Sequence, residues 1–96
     1  METEWSASKA ACNEKKHQLT FDEALEVFDD PFYIEKYDEV HSSCNEERYI
    51  VLGRVKRQVV VVVVHTPRNG KSRIISARYA TPKERQVYSK DISNLL

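Results

Sequence analysis

The chain has 96 residues, 41% of them hydrophobic and 31% charged, a composition typical of one globular domain spanning residues 1–96. No apolar stretch approaches the roughly 20 residues that a membrane span requires. The N-terminus lacks the basic and apolar regions of a signal peptide. We therefore expect a cytoplasmic protein.

The net charge of zero conceals a division between the two halves of the chain. Residues 1–47 carry 13 acidic and 4 basic side chains, a net charge of −9, whereas residues 48–96 carry 2 acidic and 11 basic side chains, a net charge of +9. An asymmetry of this size indicates a nucleic-acid-binding surface or an acidic partner. The alternative is that the halves neutralise each other across a folded interface, and the two interpretations are compatible.

The acidic half predicts short elements. Residues 3–6 are a candidate strand, and residues 8–16 contain strong helix formers. Thr20 and Glu23 have capping-box spacing, and apolar residues at i, i+3, i+4 and i+7 predict a helix over residues 21–29. The acidic residues 32–47 predict a loop with a short edge strand near 32–35.

The basic half predicts three strands, at 48–53, 58–66 and 72–79. The second contains six consecutive valines, which indicates a central strand buried on both faces. Thr81, Pro82 and Glu84 then form an N-terminal capping pattern for a last helix, whose apolar stripe is Val87, Tyr88, Ile92 and Leu95. The predicted class is α+β, with N-terminal helices, a three- to four-stranded antiparallel meander and a C-terminal helix.

Asn69-Gly70 is a strong signal for a two-residue hairpin turn. A turn centred on these residues pairs Arg68 with Lys71, and Val61 with Arg78. One face of the hairpin then carries Val61, Val63, His65, Ile74, Ser76 and Arg78. The other face, which we assign to the helices, carries Val60, Val62, Val64, Thr66, Arg73, Ile75, Ala77 and Tyr79. His65, Ser76 and Arg78 are therefore expected to share one face, which meets a groove or a partial cover.

Several of these residues are candidates for chemistry. His65 has the residue type of a general acid or base, the alternative being a locally hydrogen-bonded histidine at a strand end. Glu84 is a helix cap or, alternatively, an accessory acid or base. The basic candidates form a phosphate-binding patch or, alternatively, a solvated basic surface; they are Arg68, Lys71, Arg73 and Arg78 on the hairpin, with Lys16 and His17 on the first helix.

The sequence contains no metal-ligand spacing, no glycine-rich phosphate loop and no serine-hydrolase elbow. Cys12 and Cys44 are 32 positions apart and do not form a zinc motif. We therefore expect no metal ion and no cofactor.

Four motifs follow one another along almost the whole chain. The first is Trp5, Lys9, Asn13, Lys16 and His17; the others are FDEALEVFDDP at 21–31, EERYIVLG at 46–53 and VVVHTPRNGKSRIISARYATPKERQVY at 62–88. In this order they resemble the BrnT family of ribonuclease toxins. Two positions depart from the family pattern, because an acidic residue is usual at Ser6 and a glycine at Gln18.

This resemblance implies a fold similar to RelE-type toxins and the cleavage of RNA, that is, an endoribonuclease. It also implies a cognate ribbon-helix-helix antitoxin, through which the pair contacts operator DNA. Metal-free cleavage needs a base for the 2′-hydroxyl, positive charge at the phosphate and an acid for the 5′-oxygen. We assign Arg78 to the phosphate and His65 to proton transfer.

If the two are too far apart, Lys16, His17 or Glu84 must enter the site. Two other functions remain open from the sequence. One is a non-catalytic module that binds nucleic acid or an antitoxin, and the other is an interaction protein whose acidic half recruits a basic partner.

Overall fold

The computed structural model describes residues 2–95, with side chains up to Ile92. Its strands are β1 (Thr3–Glu4), β2 (Ile34–Tyr37), β3 (Tyr49–Arg54), β4 (Val60–Arg68) and β5 (Lys71–Tyr79). Its helices are α1 (Ala7–His17), α2 (Phe21–Ala24), which continues as a 3₁₀ turn over Leu25–Asp29, and α3 (Pro82–Leu95). The predicted elements are confirmed, with small shifts of their ends.

Side-chain caps define where the helices begin. The Thr20 hydroxyl accepts a hydrogen bond from the Glu23 amide, which starts α2. At α3 the capping box is complete, because Glu84 N–H donates to the Thr81 hydroxyl and Thr81 N–H donates to the Glu84 carboxylate. The local capping chemistry in the sequence therefore predicts these two ends correctly.

The sheet has five strands in the order β1-β5-β4-β3-β2, and it is mixed. The pairs β2–β3, β3–β4 and β4–β5 are antiparallel, as the meander predicts. β1, however, pairs parallel with β5 through Thr3 opposite Ser72 and Glu4 opposite Arg73. The prediction of a purely antiparallel sheet of three or four strands is therefore wrong, since it left this N-terminal strand outside the sheet.

Helices cover both faces of the sheet. The face that carries Val61 and Val63 packs against α2 and the segments beside it, in a core with Leu19, Phe21, Ala24, Val27, Val51, Val55, Ile74 and Ala77. The opposite face carries Val60 and Val62 and packs against Tyr88 of α3, in a second core with Leu52 and Ala80. The valine run is buried on both sides, as predicted. The face for which we expected a groove or a partial cover is not a groove, because the core beside α2 covers it.

The β4–β5 hairpin confirms the predicted turn but not the predicted register beyond it. Asn69 and Gly70 have φ angles of 54° and 76°, and Arg68 pairs with Lys71. A bulge then inserts Ile75, because Ile74 pairs with His65 while Ser76 pairs with Val64. Arg78 consequently pairs with Val62 instead of Val61. The bulge moves Ser76 and Arg78 to the opposite face from His65, and Ala77 and Tyr79 to the face of Val61 and Val63.

Gly53 in β3 permits close contact with the 3₁₀ turn. A Cβ atom at this position would lie 3.0 Å from Val27 Cβ and 3.2 Å from Tyr33 Cβ. Both neighbouring atoms are fixed to the backbone, so an added methyl group requires a backbone shift. We expect Gly53→Ala to lower the free energy of unfolding by about 1–3 kcal/mol in denaturant titrations. An unchanged midpoint would mean that this contact is looser than the structure has it.

Within residues 2–95, no helix is long and apolar enough to cross a membrane.

Candidate nucleic-acid interface

His65 is buried beneath aromatic rings. Only 6% of the residue is exposed, and its ring stacks on Tyr49 and meets the edge of Phe28, with centroid distances of 5.8 Å and 5.7 Å. Nδ1 is 2.5 Å from the Ser72 hydroxyl oxygen. Nε2 is 3.2 Å from Glu35 Oε1, but this approach is too poorly directed to form a hydrogen bond. Neither ring nitrogen is exposed to a phosphate.

Burial also determines the protonation of His65. It lowers the pKa of the imidazole below its usual value of 6.5, although the Glu35 carboxylate acts in the opposite direction. His65 is therefore neutral near pH 7. Since the bulge places Arg78 on the other face of the sheet, the predicted shared groove for His65 and Arg78 is wrong.

Arg78 is held by a bidentate ion pair with Glu84. Its two terminal nitrogens lie 2.7 Å and 2.9 Å from the two carboxylate oxygens. The guanidinium, together with the Thr81 amide and hydroxyl, lowers the pKa of Glu84 from 4.5 to about 2. Glu84 is consequently ionised at physiological pH and has no proton to donate. The structure thus uses Glu84 as a cap and as a partner that orients Arg78.

This network predicts a specific acid response. The depressed pKa means that the stabilisation from ionised Glu84 is complete above pH 4.5 and is lost as the pH falls towards about 2. We expect Glu84→Gln to lower stability near pH 7 and to flatten the stability profile over that interval, measured by denaturant titration. Glu14→Gln on the exposed surface of α1 is the control and should keep the wild-type profile. A profile of Glu84→Gln parallel to wild type would contradict the assignment.

The basic hairpin is partly neutralised by the N-terminal strand. Arg73 lies 3.4 Å from the Glu4 carboxylate and Lys71 lies 4.0 Å from that of Glu2. Arg68 is exposed, and among the described residues it forms no ion pair. The acidic and basic halves therefore do form ion pairs across the fold, as one interpretation of the charge division expects. Arg68, at the end of the hairpin, has no such ion pair among the described residues.

Lys16 and His17 come together in a cleft between α1 and β5. The cleft has a volume of about 310 Å³ and is lined by Ser8, Lys9, Cys12, Asn13, Lys16, His17, Ile75 and Ser76. No carboxylate is in this lining, although the N-terminal half is acidic overall. Lys9 was not among the predicted site residues. Its spacing of seven from Lys16, which places both on one helical face, is the signal that identifies it.

Asn13 attaches α1 to the strand. Its side-chain amide donates to the carbonyl oxygens of Ala77 and Leu19, at 2.8 Å and 3.1 Å, and its carbonyl accepts from the Ala77 amide at 3.1 Å. Beyond its contact with β1, the edge of β5 therefore bonds to a side chain instead of a strand. Arg78 lies on the same face of β5 as Ser76, which lines the cleft, and the Cα atoms of the two residues are roughly 7 Å apart.

Comparison with known proteins identifies the family. The family model described as "Ribonuclease toxin, BrnT, of type II toxin-antitoxin system" matches residues 5–84. The chain belongs to this family. The predicted resemblance is thus confirmed, as is the prediction of a ribonuclease that belongs to a toxin–antitoxin pair.

The fold agrees with that of a solved BrnT toxin. The crystal structure of the ribonuclease toxin BrnT of Brucella abortus matches with a TM-score of 0.56 and 19% identity, over 84% of this chain and 99% of that chain. At this identity the match concerns the fold alone. A comparison with curated protein sequences finds no match.

The two departures from the BrnT pattern have local explanations. The Ser6 hydroxyl accepts from the Lys9 amide and caps α1, which is the function of an acidic residue at the same position. Gln18 follows α1 with a φ angle of 57°, and its backbone amide donates to the backbone carbonyl of Glu14. This left-handed conformation favours the glycine that is usual in the family. Neither departure removes a residue from the cleft.

Proposed function

We propose that this chain cleaves single-stranded RNA bound along the cleft between α1 and β5, without a metal ion. The observation that carries the proposal is the convergence of Lys9, Lys16 and His17 on one open strand edge. Two ammonium groups attract the phosphate backbone, and the half-buried imidazole of His17 is a side chain that can accept or donate a proton. Arg78, farther along the same edge, adds positive charge.

In the proposed reaction the RNA supplies its own nucleophile. The 2′-oxygen forms a bond to phosphorus while His17 accepts the hydroxyl proton, and the bond between phosphorus and the 5′-oxygen breaks. The Lys16 ammonium donates a proton to the leaving oxygen. Lys9 and Arg78 stabilise the negative charge that accumulates on the phosphate oxygens in the transition state. The products are a 2′,3′-cyclic phosphate and a 5′-hydroxyl.

The assignment of His17 replaces that of His65 as the proton-transfer group. His65 is buried and its ring nitrogens face Ser72 and Glu35. The third histidine, His41, bonds to the Asp38 carboxylate at 2.9 Å in the segment before β3. His17, in contrast, lies in the basic cleft. We propose that His65 packs the sheet against Phe28 and Tyr49.

The partner proposed for this toxin is a ribbon-helix-helix antitoxin that covers the basic surface with an acidic segment. Arg68, whose charge has no carboxylate partner among the described residues, and Lys71 and Arg73 provide positive charge at the end of the hairpin. Operator DNA would be contacted through the antitoxin. Such a pair would act in the cytoplasm, where the RNA substrate is.

The experiment is cleavage of a defined RNA by the purified chain in excess EDTA, with analysis of the product ends. We expect cleavage to continue, with cyclic phosphate ends, and to stop when the nucleotide before the scissile bond is 2′-deoxy. Loss of cleavage in EDTA, or cleavage of the 2′-deoxy substrate, would contradict the mechanism. A gel shift without cleavage would support the non-catalytic binding module instead.

A further inference from the structure

A second basic cleft lies at the opposite end of β4 from the hairpin turn. It has a volume of about 560 Å³ and is bounded by the β3–β4 turn, the end of β5 and α3. Its lining contains no carboxylate; the residues are Arg54, Gln58, Val59, Val60, Tyr79, Ala80, Arg85 and Ser89. From the sequence, Tyr79 is a candidate for stacking on a base, with core or edge packing as the alternative, whereas Arg54 and Arg85 are not site candidates. The four closely spaced residues Arg54–Arg57 include three basic side chains.

The two arginines of this cleft are available to a ligand. Within the described part of the chain, neither Arg54 nor Arg85 forms an ion pair with a carboxylate, whereas Arg57, Arg73 and Arg78 each do. The Arg54 guanidinium lies over the ring of Tyr88, 5.5 Å from its centroid, and its charge also helps to lower the pKa of the nearby Asp30 carboxylate. Arg85 is exposed, and one of its guanidinium nitrogens donates to the Ala80 carbonyl at 3.2 Å. Two guanidinium groups therefore line one cavity whose lining contains no carboxylate.

Aromatic and planar groups complete the cleft. Tyr79 is 36% exposed, and the Arg57 guanidinium lies over its ring, 5.2 Å from the centroid. The ion pair of Arg57 with Glu23 and its hydrogen bond to the Tyr79 hydroxyl hold that guanidinium in place. Nucleic-acid bases stack on aromatic rings and on guanidinium planes, and arginine pairs of donors fit phosphate oxygens.

The second cleft is joined to the first through Tyr79. Its hydroxyl donates to the carbonyl oxygen of Gln18, the residue that follows His17 at the end of α1. The end of α1 that carries His17 therefore lies next to Tyr79 of the second cleft.

We propose that the cleft of Arg54, Tyr79 and Arg85 is a binding subsite for a nucleotide of single-stranded RNA beyond the scissile phosphate. Arg54 and Arg85 each bind one of the two backbone phosphates that flank this nucleotide, and the Tyr79–Arg57 pair contacts its base. This inference rests on the proposed function, since it concerns the same RNA strand. It adds that substrate length matters: a short RNA that fills only the α1–β5 cleft does not use the subsite.

The test compares binding of 2′-O-methyl RNA, which lacks the attacking hydroxyl, in lengths of about 4 and about 12 nucleotides. Arg54→Gln with Arg85→Gln should weaken binding of the longer RNA about tenfold or more. It should also reduce the log–log salt slope by about 1.4, the value for two phosphate contacts to a single strand. Binding of the shorter RNA should change much less. The matched control, Lys83→Gln with Lys90→Gln, removes two charges from α3 outside the cleft and should preserve the affinity for the longer RNA.

The outcomes separate this inference from the proposed function. Equal loss of affinity in the control and test variants would show that binding depends on the overall positive charge and not on this cleft, which would overturn the inference. Wild-type affinity and salt slope in the test variant would also overturn it, even if the wild-type chain cleaves RNA as proposed. If the double variant does not fold, as judged by its thermal transition, Arg85→Gln alone tests the same site, because this side chain is exposed and outside both cores. It should lower affinity for the longer RNA and reduce the slope by about 0.7.

Discussion

Replacing His17 with alanine is expected to lower the rate of RNA cleavage by about a hundredfold or more. The reason is that positioned general acid–base catalysis contributes at least this factor, and His17 is the imidazole that lines the basic cleft. The measurement is single-turnover cleavage of one defined RNA, with binding of 2′-O-methyl RNA determined separately. Affinity should change far less than rate, because Lys9 and Lys16 remain to bind the phosphates.

Two other histidine variants serve as controls for this result. His41→Ala changes an exposed residue bonded to Asp38 and should keep the wild-type rate. His65→Asn changes the buried ring and should lower the thermal transition, while the rate per folded molecule stays within a few-fold of wild type. A folded His65→Asn protein without activity, alongside an active His17→Ala protein, would return the proton-transfer role to His65.

The second large effect is expected at Asn13. Asn13→Ala should lower the free energy of unfolding by about 2–4 kcal/mol, since it leaves the Ala77 amide and carbonyl without their side-chain partner in a buried position. Denaturant titration measures the change. Cleavage should fall as well, even at temperatures where the variant is folded, because α1 loses the bonds that place Lys16 and His17 beside β5.

The control for Asn13 is Asn45→Ala in the exposed segment before β3, which should change stability by less than about 0.5 kcal/mol. Asn13→Asp is the more discriminating variant. It keeps the shape and the acceptor for the Ala77 amide, but it directs oxygen towards two carbonyl oxygens. It should therefore be at least as destabilising as alanine near pH 7, and a stable aspartate variant would contradict the hydrogen-bond assignment.

Much of the fold could be predicted because it depends on local chemistry. The capping pattern at Thr81, the turn at Asn69-Gly70 and the valine strand are each determined by a few neighbouring residues. The pairing of β1 with β5 could not be predicted in the same way. β1 has two residues, and the ion pair between Glu4 and Arg73 that accompanies the pairing joins positions 69 apart in the sequence.

The site was predicted less completely, for one structural reason. The bulge at Ile75 contains no glycine or proline from which it could be predicted. It nevertheless moves the side chain of every later residue in β5 to the opposite face of the sheet. Arg78 therefore lies away from His65. Burial of His65 depends on Phe28 and Tyr49, which come from distant segments, so spacing alone could not separate a packing histidine from a catalytic one. Motif and position predict Lys16 and His17 as phosphate contacts, and the structure places both in one cleft.

The most direct test of the account is a crystal structure of this chain bound to 2′-O-methyl RNA. We expect the phosphate next to the methylated sugar to lie in the cleft between α1 and β5, within hydrogen-bond reach of His17 and Lys16. His65 should remain buried beneath Tyr49. RNA bound with that phosphate at the hairpin end, near Arg68 and away from α1, would contradict the central claim.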